Sequence, residues 1–149
     1  MVAGNLWLTG LPELQDLAAL ESFTTGKGVH LIDLPKVTSL AGLAKLESAE
    51  WLMIGDCVNM GTGGMNGLQS LAGLDSLESV GSLALANNMN LTSLAGAPLL
   101  TTAGDGVNVV NNPMLSQAAF DAFLEQFAPA PVSCFGGWDE CPCFEILPW

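Results

Sequence analysis

The chain has 149 residues, half of them apolar and only 12% charged: one domain's worth of sequence, with enough apolar surface for a core and too much for disorder. Fifteen acids against three lysines and no arginine give a formal charge of −12, which repels a phosphate backbone and argues against nucleic-acid binding. The apolar residues come in short pulses, none near the roughly 18–20 needed to cross a bilayer, so no membrane span is expected.

At the N-terminus, Met1-Val2-Ala3-Gly4 has neither a charged leader nor an apolar run. The expectation is therefore a mature form or a fragment. Patterned sequence starts at once. LWLTGLPELQDLAALESF, from Leu6, aligns with VHLIDLPKVTSLAGLAKL, from Val29, at a shift of 23: Leu8 with Leu31, Leu11 with Leu34, Pro12 with Pro35, Leu17 with Leu40. The same shift carries Leu31 to Ile54, and further copies begin at Leu83 and Val107. Each opens L-x-L, the period of a short strand with one buried face. Leucines then recur strictly every three residues, as in Leu68, Leu71, Leu74 and Leu77. That spacing predicts extended or 3₁₀-like backbone rather than α-helix, which mixes three and four. No single unit can bury its leucines alone, so the units must stack.

Between the third and fourth units stands IGDCVNMGTGGMNGL, residues Ile54 to Leu68. Its Gly-Thr-Gly-Gly does not follow the P-loop pattern and lacks the lysine. In repeat register Cys57 shares a slot with Leu11, Leu34, Asn88 and Asn112, three residues after the second strand leucine. A residue in that slot is expected to turn inward, so Cys57 is read as buried and unreactive. Fourteen residues separate Ile54 from Leu68, which places an eight-residue insertion, a surface loop, within Val58 to Gly67.

Beyond the last unit, Phe120, Phe123, Leu124 and Phe127 fall on one face of an amphipathic helix over 116–127, with Ser116 as N-cap. Such a helix would close the open end of the stack. Ala128-Pro129-Ala130-Pro131 ends it and begins a Pro- and Cys-containing tail, 128–149. Cys134, Cys141 and Cys143 are disulfide candidates; a zinc site would want a fourth ligand, and no histidine lies nearby. Pairing of Cys134 with Cys141 or Cys143 implies an oxidising compartment. The cysteine left over could reach Cys57, bond another chain or stay free.

These features resemble the leucine-rich-repeat superfamily, in particular receptor L-domain repeats like those of bacterial surface proteins. The motif L-x-x-L-x-L-x-x-N/C-x-x-L stands here as Val80, Leu83, Leu85, Asn88 and Leu91, within a region from about Leu6 to Phe127. Units one and two depart from it, with leucine in the Asn/Cys slot. The fold expected is mainly β: a right-handed leucine-rich β-solenoid of about five coils, period 23–24, over 1–127. What the resemblance implies is an extracellular or surface binding module without cofactor.

Candidate chemistry is thin. His30 is the only histidine, Asp33 and Asp56 carry no mark of a glycosidase pair, and Asp105 in Gly-Asp-Gly reads as a turn acid rather than a calcium loop, so no catalytic or metal site is expected. Repeat register says more about binding. The residue between the two strand leucines points away from the core, giving Trp7, His30, Met53, Ala84 and Asn108, and Trp51 precedes the third strand. Trp7, His30, Trp51 and Met53 are therefore expected together on the strand face, as an exposed patch for a protein or glycan ligand, unless the tryptophans merely cover the sheet or an adjoining segment. The alternative is a structural or self-assembling subunit, associating through the uncapped first coil. An ice-binding surface would need a regular threonine row, but the best column is mixed: Gln15, Thr38, Gln69, Thr92, Ser116. Asn90-Leu91-Thr92 fits a glycosylation acceptor, meaningful in a secretory eukaryotic host.

Overall fold

The computed structural model describes residues 4–57 and 63–137. Six strands form one parallel sheet in chain order: β1 (Leu6–Thr9), β2 (Thr25–Ile32), β3 (Ser48–Ile54), β4 (Ser79–Ala86), β5 (Thr102–Val110) and β6 (Ser133–Gly136). The register repeats the sequence shift: Leu8 pairs with Leu31 and Leu31 with Ile54. From β3 to β4 the spacing becomes 31, Leu52 opposite Leu83, so eight residues are inserted without disturbing the ladder.

One sheet face packs on the leucines that follow each strand. Val29, Leu31, Leu34, Val37, Leu40, Leu43 and Leu46 are all fully buried in a single core, and Leu68, Leu71 and Leu77 continue it in the next unit. The three-residue spacing is realised by i→i+3 turns, Leu43 N–H to Leu40 C=O (2.8 Å) and Leu46 N–H to Leu43 C=O (2.9 Å), with short 3₁₀ turns at Ala18–Leu20 and Ala41–Leu43. Ala-Gly pairs let the units approach. At Gly73 (φ +108°) an added Cβ would lie 2.3 Å from the Ala41 nitrogen, and at Gly96 (φ +125°) 2.2 Å from the Ala72 nitrogen.

Helix α1 (Gln117–Leu124) follows Ser116, whose hydroxyl accepts the Ala119 N–H at 3.1 Å. Phe120, Phe123 and Phe127 join the core at that end, but the helix stops at Leu124 rather than running to 127, so Phe127 packs from beyond it and Leu124 is only partly buried. The segment beyond 127 is less tail-like than expected: Ser133–Gly136 pairs in parallel with β5 and adds a sixth strand. Opposite, β1 is the edge strand among the described residues, and Leu6, Leu8, Leu14, Leu20 and Phe23 are only partly buried.

The slot three residues past the last inward residue of each strand is a buried asparagine ladder in the later units. Asn88 Nδ2 donates to Ile54 C=O (3.0 Å) while its Oδ1 accepts the Met65 N–H (3.0 Å). Asn112 Nδ2 donates to Leu85 C=O (2.9 Å) and its Oδ1 accepts the Asn88 N–H (3.1 Å). Leu34 fills the slot in the core, but Leu11, in the open first unit, is exposed rather than turned inward. Cys57 does not occupy it either. In the other units a left-handed residue stands two places after the last inward strand residue: Gly10, Asp33, Asn87 and Asn111. In the third unit the left-handed residue is Gly55, one place after Ile54, and the chain leaves in another direction. Cys57 then packs with Met53, Ala84, Ala86 and Val110 on the opposite side of the sheet, and Met65 takes the core slot. The insertion therefore precedes the slot instead of following it. Cys57 is buried as expected, but it is disulfide-bonded.

Candidate functional site

The outward row of the strand face is Trp7, His30, Met53, Ala84 and Asn108, as register implies, and Cys134 extends it onto β6. Its exposure is not the expected one. Met53 is 3% exposed and His30 6%, whereas Trp7 is 57% exposed and Trp51 lies between. An open patch of four side chains is thus corrected to an exposed Trp7, a half-buried Trp51 and a covered middle. Trp7 and His30 stack with ring centroids 3.8 Å apart and planes 5° from parallel. Burial disfavours the imidazolium and lowers the His30 pKa from 6.5, and among the described residues its Nδ1 has no hydrogen-bond partner.

Trp51 borders a cleft that leucine register alone does not reveal. Each central strand has a point where alternation breaks: Ala49 and Leu52 both join the core, and so do Val80 and Leu83. Between them two consecutive residues face away from it, Glu50–Trp51 on β3 and Gly81–Ser82 on β4. On β5 there is one residue more, because Ala103 pairs with Val80 while Gly106 pairs with Ser82, a bulge at Gly104-Asp105. Asp105 is therefore a strand residue at a bulge, not a turn acid.

The resulting cleft, about 610 Å³, is lined by Glu50, Trp51 and Asp105 among small residues such as Gly26, Ser48, Ser79, Gly81 and Gly104. Gly81 is required by proximity: a Cβ there would lie 2.4 Å from the Glu50 carbonyl oxygen and 3.2 Å from the Asp105 carboxylate. Lys27 Nζ stands 6.0 Å from the Trp51 ring centroid, at the limit of a cation–π contact. An indole wall with carboxylate acceptors and serine and threonine hydroxyls around it is binding chemistry; no nucleophile–base pair of described residues accompanies it. One signal in the sequence could have found the bulge, the 24-residue step from Leu83 to Val107 where 23 is the rule.

Asp56 is buried, and its backbone carbonyl accepts from Asn87 Nδ2 at 2.9 Å. Both described cysteines, Cys57 and Cys134, are disulfide-bonded. Cys141 and Cys143 lie outside the described residues. Among the described residues no three His, Cys, Asp or Glu side chains converge as a metal ion requires, and no helix is long and apolar enough to cross a membrane.

No protein-family model matches the chain, nor does any curated protein or solved structure.

Proposed function

We propose that this chain is a right-handed leucine-rich β-solenoid of the leucine-rich-repeat superfamily, with receptor L-domain-like repeats, acting without catalysis as a secreted or cell-surface module that binds a protein or glycan. The 23-residue parallel register, the i→i+3 leucine turns and the buried asparagine slot support the family reading. The right hand follows the rule for parallel crossovers. Disulfides at Cys57 and Cys134 support an oxidising compartment.

The observation that carries the binding reading is the cleft beside Trp51. An indole flanked by Glu50 and Asp105 suits a sugar, whose apolar ring face stacks on the aromatic while its rim hydroxyls donate to carboxylates. A glycan array followed by titration calorimetry tests it. Trp51→Ala and Glu50→Gln should each weaken the selected ligand about tenfold or more, on the order of 1.4 kcal/mol, with the urea midpoint unchanged. Unaltered affinity in both variants refutes this site. A captured protein ligand sensitive to the same two substitutions keeps the site and changes the ligand class.

Self-association is favoured by one separate observation. Leu11 and Trp7 are exposed beside β1, the edge strand among the described residues, with the partly buried leucines of the first unit behind them. Light scattering across a concentration series decides: a dimer abolished by Leu11→Lys supports this reading, and a concentration-independent monomer removes it.

A further inference from the structure

The beginnings of the strands carry a row that leucine register does not reveal. Thr25 pairs with Ser48, Ser48 with Ser79 and Ser79 with Thr102, so β2 to β5 each set one side-chain hydroxyl at the same level. The next residues, Ala49, Val80 and Ala103, join the leucine core, so alternation turns the hydroxyls to the opposite side, the strand face. Ser48, Ser79 and Thr102 line the Trp51 cleft, which extends to Gly26 on β2. Main chain fixes the spacing of the row. Just before it, Glu47 N–H donates to Thr24 C=O (2.7 Å), Glu78 N–H to Glu47 C=O (2.9 Å) and Thr101 N–H to Glu78 C=O (3.1 Å).

The fold does not use these hydroxyls. Ser39, Ser70 and Ser93, in the leucine turns, each accept the N–H two residues on, whereas the hydroxyls of the row have no hydrogen-bond partner among the described residues. On the footing that the Trp51 cleft is the binding site, we propose that it takes a linear oligosaccharide lying across the strands, with one sugar stacked on Trp51 and the chain running on over Ser79 and Thr102. At one sugar per strand step of ~4.8 Å, the span of about 14 Å from β2 to β5 holds about three units.

Spacing and chemistry agree. A 1,4-linked pyranose chain advances by about one ring per sugar, close to the strand step, so groups on one of its edges meet successive strands in turn. An extended peptide does not keep step: groups on one of its edges recur every second residue, at about 6.6–6.8 Å against ~4.8 Å. The two walls of the cleft also differ in kind. Along the strand beginnings the hydroxyls both donate and accept, which suits ring and glycosidic oxygens as well as sugar hydroxyls. Further along the same strands Glu50 and Asp105 only accept, and they take the donors that every sugar carries. Between the walls Gly81 keeps the floor low, since a Cβ there would meet the Glu50 carbonyl oxygen at 2.4 Å.

Titration calorimetry on the full chain tests it, using the glycan selected on the array in lengths from one sugar to five. Affinity should rise about tenfold or more from one sugar to three and stay level beyond four. Ser79→Ala and Thr102→Val should each weaken the trisaccharide about threefold or more, with the single sugar and the urea midpoint unaffected. A single sugar bound as tightly as the trisaccharide, and still lost in Trp51→Ala, overturns the extended site and leaves the Trp51 site standing. Length dependence that neither substitution touches overturns the hydroxyl wall, and the proposal with it. An extended peptide held through the same residues in place of any glycan keeps the cleft and overturns the linear sugar. Silence at every length, with no ligand sensitive to Trp51→Ala, removes the Trp51 site and this proposal together. The length series uses the unaltered chain, so it decides even where a substitution disturbs folding.

Discussion

Asn88→Ala is the sharpest test of how the units are held in register. Its side chain, 0% exposed, bridges two backbone groups: it accepts the Met65 N–H and donates to the Ile54 carbonyl, each at 3.0 Å. Alanine removes both bonds and strands both partners, in residues that are themselves fully buried. A buried donor or acceptor left unmade costs about 1–3 kcal/mol, so the loss should be about 2–6 kcal/mol. Asn90→Ala is the matched control, because Asn90 Nδ2 also donates to a backbone carbonyl, that of Asn66 at 2.7 Å, but in an exposed position. Water replaces that bond, and the loss should be below about 1 kcal/mol. Urea unfolding followed by circular dichroism gives both values, provided the m-value is unchanged. If Asn88→Ala costs no more than Asn90→Ala, the slot is packing rather than hydrogen bonding, and the argument fails.

Two further outcomes follow from the same geometry. Gly96→Ala forces a side chain into backbone of the neighbouring unit at a left-handed φ and should destabilise by several times the cost of Gly104→Ala, where an added Cβ meets nothing within 4 Å; equal urea midpoints would show that the units have room to separate. His30 should make stability pH-dependent: its folded pKa lies below 6.5, so in acid the unfolded chain binds the extra proton, and stability falls as pH drops through about 6.5 while staying flat above it. His30→Phe, which keeps a ring against Trp7, should abolish that part of the slope between pH 8 and 5, and parallel curves for the two proteins would refute the assignment.

Much of this was legible because a parallel sheet with a repeated register writes one contact many times. Leu8, Leu31 and Ile54 share a register position for the same reason they share a 23-residue spacing, and the helical phase of Phe120, Phe123 and Phe127 needed no tertiary knowledge. Cys57 was misread because counting residues fixes phase along the chain but not the direction in which the backbone leaves a strand. A left-handed Gly55, one place early, sends the thiol to the opposite side of the sheet and leaves the core slot to Met65. β6 was missed because Ser-Cys-Phe-Gly is too short and too glycine-rich beyond its prolines to show alternation. The exposure of His30 and Met53 failed for a different reason: register assigns a face to a side chain, and says nothing of what lies over it.

The two ends of the strand face consequently differ in what they can do. At the middle row small and apolar residues, Ala84 and Met53 among them, make a flat surface that is sealed, and a sealed apolar layer stabilises the sheet from its second side. At the strand beginnings the broken alternation turns two residues outward together, and Gly26, Gly81 and Gly104 line the cleft, Gly104 with open space where a Cβ would stand. Gly81 cannot be enlarged without displacing the Glu50 backbone, so that part of the cleft floor is set by main chain. A backbone-set floor lowers the ordering cost that binding would otherwise charge against affinity. Acidic groups gathered at that rim, on a chain of charge −12, also repel anionic ligands from a distance and leave neutral or cationic ones free to approach. Neutral glycans should therefore outbind their sulfated or sialylated counterparts at low salt, and by less as ionic strength rises.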